Sequence, residues 1–128
     1  VHTEAAAGGV LLATRRARSP GEPEVWAAHL AVVEGDAVGA PQFETDRARF
    51  LGRGGNLRQV CTAPDRGPLS GSAGAVLDPI FSLRRCLRIA PGATARVAFW
   101  TLASSSREAA LDCADAHRDA PAFDRAVT

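Results

Sequence analysis

Apolar and polar positions alternate with a two-residue period over residues 80–89, where Phe81, Leu83, Leu87 and Ile89 interleave with Ser82, Arg84, Cys86 and Arg88. Successive side chains of an extended chain leave on opposite faces, so this pattern predicts a half-buried β-strand. Pro91-Gly92 supplies a turn, and residues 95–102 return with Val97 and Phe99 on one face and Arg96, Ala98 and Trp100 on the other. The two segments are expected to pair as a hairpin. A second hairpin is expected earlier in the chain. The apolar run Val10-Leu11-Leu12-Ala13 turns polar at Arg15, Ser19-Pro20-Gly21-Glu22-Pro23 interrupts regular hydrogen bonding, and residues 25–34 return with Val25, Trp26, Leu30, Val32 and Val33 before Gly35-Asp36 closes the strand.

Between the hairpins the pattern weakens. Residues 37–42 read as a loop, residues 56–61 as a short strand, and residues 63–75, rich in Pro, Gly and Ser, as a long ordered loop. Near the end, Ser105 followed by Glu108 has the spacing of a capping box, and Ala109, Ala110, Leu111, Ala114 and Ala116 favour a helix over about residues 106–118. Pro121 suits the first turn of a further helix. The expected fold class is all-β, an antiparallel β-sandwich portion over residues 1–104, with a C-terminal helix and the start of a linker over residues 105–128.

Composition narrows the partner class. The 128 residues suit one domain, and a hydrophobic share of 46% with no Tyr and no Met describes a core of small side chains. The 15 basic residues, all Arg, nearly cancel the 14 acidic ones, so no net field draws in nucleic acid or an anionic membrane. A neutral sugar fits better. Cys61, Cys86 and Cys113 are odd in number and lack paired short spacing, which favours a reducing compartment, the cytoplasm. No apolar run reaches the roughly 18 residues of a membrane helix. A chain that starts at Val1 and contains no Met reads as an excerpt of a longer protein.

The densest chemistry lies in residues 42–55, which hold Glu44 and Asp46, the arginines Arg47, Arg49 and Arg53, the rings Phe43 and Phe50, and the glycines Gly52, Gly54 and Gly55. Thr45 or Asp46 can cap a short helical turn, with Phe50 and Leu51 tucked beneath it. Sugar recognition needs planar hydrogen-bonding groups for hydroxyls and a ring for the C–H face, and Glu44, Asp46, Arg47, Arg49, Phe50 and Arg53 offer both. The competing reading is a structural clamp in which Glu44 or Asp46 pairs with an arginine over a buried Phe50. Trp26 and Trp100 are alternative stacking platforms, Trp100 more simply as core. Cys113 and His117 stand four apart on the expected helix, but no second pair with ligand spacing accompanies them, so no metal site is expected. Gly52-Arg53-Gly54-Gly55 lacks the Lys-Ser/Thr ending of a phosphate loop, and residues 70–74 miss the first glycine of a nucleophile elbow. His29 reads as a core or strand-face residue.

Three blocks, residues 43–54, 69–84 and 91–101, occur in an order that resembles the N-terminal β-supersandwich of the family 94 glycoside hydrolases, most closely the phosphorylase-like region of bacterial cyclic β-1,2-glucan synthases. The resemblance implies an antiparallel sandwich, here its C-terminal part, that precedes an (α/α)6 catalytic barrel. It places the general acid and the phosphate-binding residues in that barrel. No catalytic residue and no cofactor are therefore expected in this chain, even though the spacing of Glu44 and Asp46 would put two carboxylates on one strand face. The implied partners are a glucan or oligosaccharide and the catalytic barrel of the same polypeptide, with a homodimer as a further option. A purely structural domain for dimerisation or barrel docking is the alternative function.

Overall fold

Leu12, Ala28 and Leu102 form one row across three antiparallel strands, and Leu30 and Trp100 sit opposite each other in the next row. These rows come from a computed structural model that describes residues 1–15, 17–51 and 69–118. The strands are β1 (His2–Ala6), β2 (Val10–Thr14), β3 (Trp26–Glu34), β4 (Asp36–Asp46), β5 (Gly74–Ala75), β6 (Pro79–Arg88) and β7 (Arg96–Ser104); the helices are α1 (Arg47–Leu51) and α2 (Arg107–Ala116). One sheet has five strands in the order β5-β1-β2-β3-β7, and β4 pairs with β6 in a second sheet of two strands. Every pairing is antiparallel.

Period-two alternation gives the larger sheet two different faces. On one face Val10, Leu12, Ala28, Leu30 and Val32 are buried under Ala110 and Ala114 of α2, with Trp26, Ala98, Trp100 and Leu102 packed around them. Small helix residues let the helix axis approach the sheet closely, which explains a core assembled from Ala and Val with few rings. Ser106 caps α2, its hydroxyl accepting the Ala109 N–H at 3.1 Å. The capping residue is thus Ser106, one position after the expected Ser105. At the first turn of α2 the Arg107 guanidinium clasps the Glu4 carboxylate of β1. That ion pair holds the Glu4 carboxyl below its usual range, chiefly through the Arg107 hydrogen bond.

The opposite face carries Leu11, His29 and Thr101 in one row, and β6 lies across it, with Phe81 stacked on His29. Leu11 is fully buried there. The two sheets form the expected all-β antiparallel sandwich, with the C-terminal helix on its outer side.

Three expectations are corrected. Residues 37–42 belong to β4, whose Asp36, Ala37 and Val38 pair with Arg88, Leu87 and Cys86. Their loop-like composition has another cause: Gly39 has a φ of 75°, Pro41 has no N–H to donate, and the register shifts between Val38 and Gln42 to hold them as a bulge. Next, β6 and β7 do not form a hairpin. The Pro91-Gly92 turn carries the chain from the small sheet to the large one, where β7 pairs along its length with β3. Finally, His2–Ala6 is a strand where none was expected, and residues 74–75, within the expected long loop, form the short strand β5 beside it. The strand expected over residues 56–61 and the helix expected at Pro121 lie outside the described residues.

Candidate functional site

Of the six candidate sugar-binding residues, Glu44 is the most constrained. It is 1% exposed, at the end of β4 where the register shifts before Asp46. A buried carboxylate is tolerated only when donors replace the lost water. One oxygen of Glu44 accepts the N–H groups of Thr45 and Asp46, each at 3.1 Å, and the other accepts the Ser70 hydroxyl. Burial pushes this carboxyl up, but the hydrogen bonds from Ser70, the Asp46 N–H, Ser72 and the Thr45 N–H outweigh it and hold it below the ordinary range.

The Ser70 contact is one of four successive ties between β4 and residues 69–72. The Leu69 N–H donates to the Gln42 side-chain oxygen at 3.1 Å, the Gly71 N–H to the Phe43 carbonyl at 2.9 Å, and the Thr45 hydroxyl to the Ser72 carbonyl at 2.8 Å. Thr45 also meets Thr3 of β1, hydroxyl to hydroxyl, at 2.7 Å. Gly71 has a φ of 72° and lies against the Phe43 ring, so this strap runs close to the strand where a side chain would be strained. The serine run 70–72, which fails as a nucleophile elbow, is the partner of Glu44. Its periodicity carries no signal of that role; only its hydroxyls hinted at one.

This arrangement revises the clamp reading. Among the described residues Ser70 takes the place of the expected arginine partner of Glu44, while the Arg47 and Arg49 side chains are exposed. Asp46 accepts the Ala48 N–H at 3.0 Å and so caps α1, as one of the two expected caps. Arg47 and Arg49 rise from α1 with side chains 51% and 65% exposed, and among the described residues their ion pairs are long ones, to Asp78 at 3.5 Å and Asp46 at 3.8 Å. Phe50 and Leu51 are half-buried. Asp46 at the end of β4 is therefore brought together with Arg47, Arg49 and Phe50 of the five-residue helix α1, next to buried Glu44. Arg53 lies outside the described residues.

Other candidates resolve differently. His29 is stacked between Phe81 and Phe99, with ring centroids 5.6 and 6.1 Å away, and its Nδ1 lies 2.9 Å from the Thr101 hydroxyl. Burial lowers its pKa. Trp100 belongs to the α2 side of the sheet, where its ring lies 4.4 Å from that of His117. His117 is accordingly half-buried, and its Nδ1 faces the Cys113 carbonyl at 2.7 Å. Among the described residues no group of three or more potential metal ligands comes together, and no helix is long and apolar enough to cross a membrane.

The glycosyl hydrolase 94 supersandwich-domain model matches residues 1–120, and the chain is a member of that family. It is 40% identical over 116 residues to the cyclic β-(1,2)-glucan synthase NdvB of Rhizobium meliloti (strain 1021). The match covers 91% of this chain and 4% of that relative, so the chain spans a small fraction of its relative's length.

Proposed function

We propose that this chain is a non-catalytic carbohydrate-binding segment of a cyclic β-1,2-glucan synthase-like protein, and that it meets the glucan through Asp46, Arg47, Arg49 and Phe50, with Arg53 beyond them. The observation that carries this reading is the pairing of two exposed guanidiniums and a half-buried ring on one rigidly anchored turn. Guanidinium forks donate to vicinal hydroxyls and an aromatic face receives sugar C–H groups, which is the chemistry a neutral glycan requires. Glu44 acts indirectly, by fixing the turn. Exposed Cys86 and half-buried Cys113, both free thiols, support a reducing, cytoplasmic setting.

Titration of β-1,2-linked glucooligosaccharides into the folded chain tests the reading. The expected result is saturable movement of the amide resonances of residues 46–50, absent with a β-1,4-linked glucan. Silent calorimetry together with unmoved amides at roughly millimolar sugar, the weak end of specific recognition, overturns it.

A second reading, docking to the catalytic barrel or to a second copy, draws support from β7. This edge strand exposes Val97 at 37% and Phe99 at 55% on the face opposite α2. Concentration-dependent mass by light scattering, with no response to glucan, favours that reading instead.

A further inference from the structure

The bulge in β4 has a consequence on the inner side of the sandwich. Opposite Gly39 and Pro41 the two sheets separate around a cleft of about 460 Å³, walled by Ala31 and Val33 of β3, Leu83 and Arg85 of β6, and the Gly8-Gly9 turn between β1 and β2. Its volume lies in the range of small-molecule sites, roughly 300–1,000 Å³. Arg85 is the only charged residue among the described residues of the lining. It is half-buried and its guanidinium makes no hydrogen bond or ion pair among the described residues, whereas its neighbour Arg84 is engaged.

We propose that this cleft is an oxyanion-binding site, in which the Arg85 guanidinium receives a phosphate or carboxylate group carried on a small ligand. A half-buried guanidinium has lost part of its hydration and presents a rigid fork of N–H donors. Phosphate and carboxylate match that fork with two parallel hydrogen bonds. With no acid among the described residues of the lining, the anion comes from the ligand. The alanine, valine and glycine walls then receive the ligand's uncharged body, for which the bulge leaves room. The site is on the inner face of the sandwich and stands independently of glycan contact at α1.

Arginine-specific modification with phenylglyoxal, read residue by residue by peptide mass spectrometry, tests this in the full-length polypeptide that carries the sequence. Its arms contain inorganic phosphate, acetate, or uncharged glucose, with ionic strength matched by chloride. The expected result is that phosphate or acetate slows modification of Arg85 by at least about fivefold while Arg84 and Arg88 react unchanged. The stronger of the two anions identifies the group the site takes. In calorimetry, Arg85→Gln is expected to weaken the anion response by roughly tenfold and Arg84→Gln to leave it intact. Equal slowing of Arg84 and Arg85, protection by glucose alone, no protection, or an anion response that survives Arg85→Gln overturns the proposal.

Discussion

Thr3 Oγ1 and Thr45 Oγ1 meet at 2.7 Å in the interior, joining β1 of the five-stranded sheet to β4, which leads into the candidate site. Around this contact the Thr3 hydroxyl also accepts the Gly74 N–H at 3.1 Å, and the Thr45 hydroxyl donates to the Ser72 carbonyl at 2.8 Å. Three segments remote in sequence, β1, β4 and the strap 69–74, are thus tied through two small side chains. The position of α1 depends on that knot, because Glu44 and Asp46 flank Thr45.

Replacing the central hydroxyl tests the dependence. Thr45→Val keeps the volume and removes both hydrogen bonds, leaving the half-buried Ser72 carbonyl without its donor. The expected loss is about 1–3 kcal/mol, seen as a lower urea midpoint at unchanged slope. A loss within about 0.5 kcal/mol would mean that the knot is replaceable by water.

Glu44 gives the knot a pH dependence whose sign follows from its lowered pKa. In the unfolded chain the carboxyl has its ordinary value near 4.5; in the fold it stays ionised to lower pH. The stabilisation is therefore present in full above the unfolded value and is lost as pH falls through the folded one. Glu44→Gln is expected to keep the fold at neutral pH, since the amide oxygen can accept both backbone N–H groups and its NH₂ can donate to Ser70. The variant should flatten the acid limb of a stability–pH profile below about 4.5 relative to the parent, with Glu4, Glu22 and Glu34 contributing to the slope that remains. An acid limb of unchanged steepness would assign the ionisable stabilisation elsewhere.

His29 works in a different pH window. Its pKa is lowered because Phe81 and Phe99 cover the ring and oppose its charging, while a backbone interaction at Trp100 acts weakly the other way. Above the unfolded value near 6.5 both states are neutral and the ring costs nothing; below it the unfolded chain takes up the proton first. Stability should fall as pH drops from about 6.5, and His29→Phe should remove that slope. The imidazole carbon-bound protons in an NMR titration should show a midpoint below 6.5. A midpoint at or above that value would contradict the stacked, half-buried placement.

Much of this architecture is legible in the chain because local patterning and tertiary role agree. The alternation over residues 80–89 marks β6, the apolar run at Val10 marks β2, and the alanine-rich stretch after the serines marks α2. What escapes is pairing. Nothing in Phe81 or Val97 says that their strands belong to different sheets, and turn chemistry at Pro91-Gly92 fits a crossover as well as a hairpin. Gly39 and Pro41 disguised β4 as a loop because bulges use the residues that loops use. At the candidate site, the density of charge in residues 42–55 drew attention to the end of β4 and α1, and there the charges part company. Glu44 turned inward to Ser70, a partner 26 residues on that no period could reveal, while Arg47 and Arg49 turned outward.

That outward turn separates binding from stability at α1. The Arg47 side chain is 51% exposed and reaches Asp78 only at 3.5 Å, so its ion pair is screened, and the tie that fixes this point is the backbone bond from Arg47 N–H to the Asp78 carbonyl at 3.0 Å. Arg47→Ala keeps the backbone bond. It is expected to shift unfolding free energy by no more than about 0.5 kcal/mol, and Arg49→Ala likewise. If these guanidiniums serve the glucan, each substitution should weaken oligosaccharide affinity by roughly tenfold at unchanged thermal midpoint, the cost of about one charge-assisted hydrogen bond to a hydroxyl. A stability loss of 1–3 kcal/mol on Arg47→Ala would instead restore the clamp, and stability and affinity both unchanged would move the glycan surface away from α1.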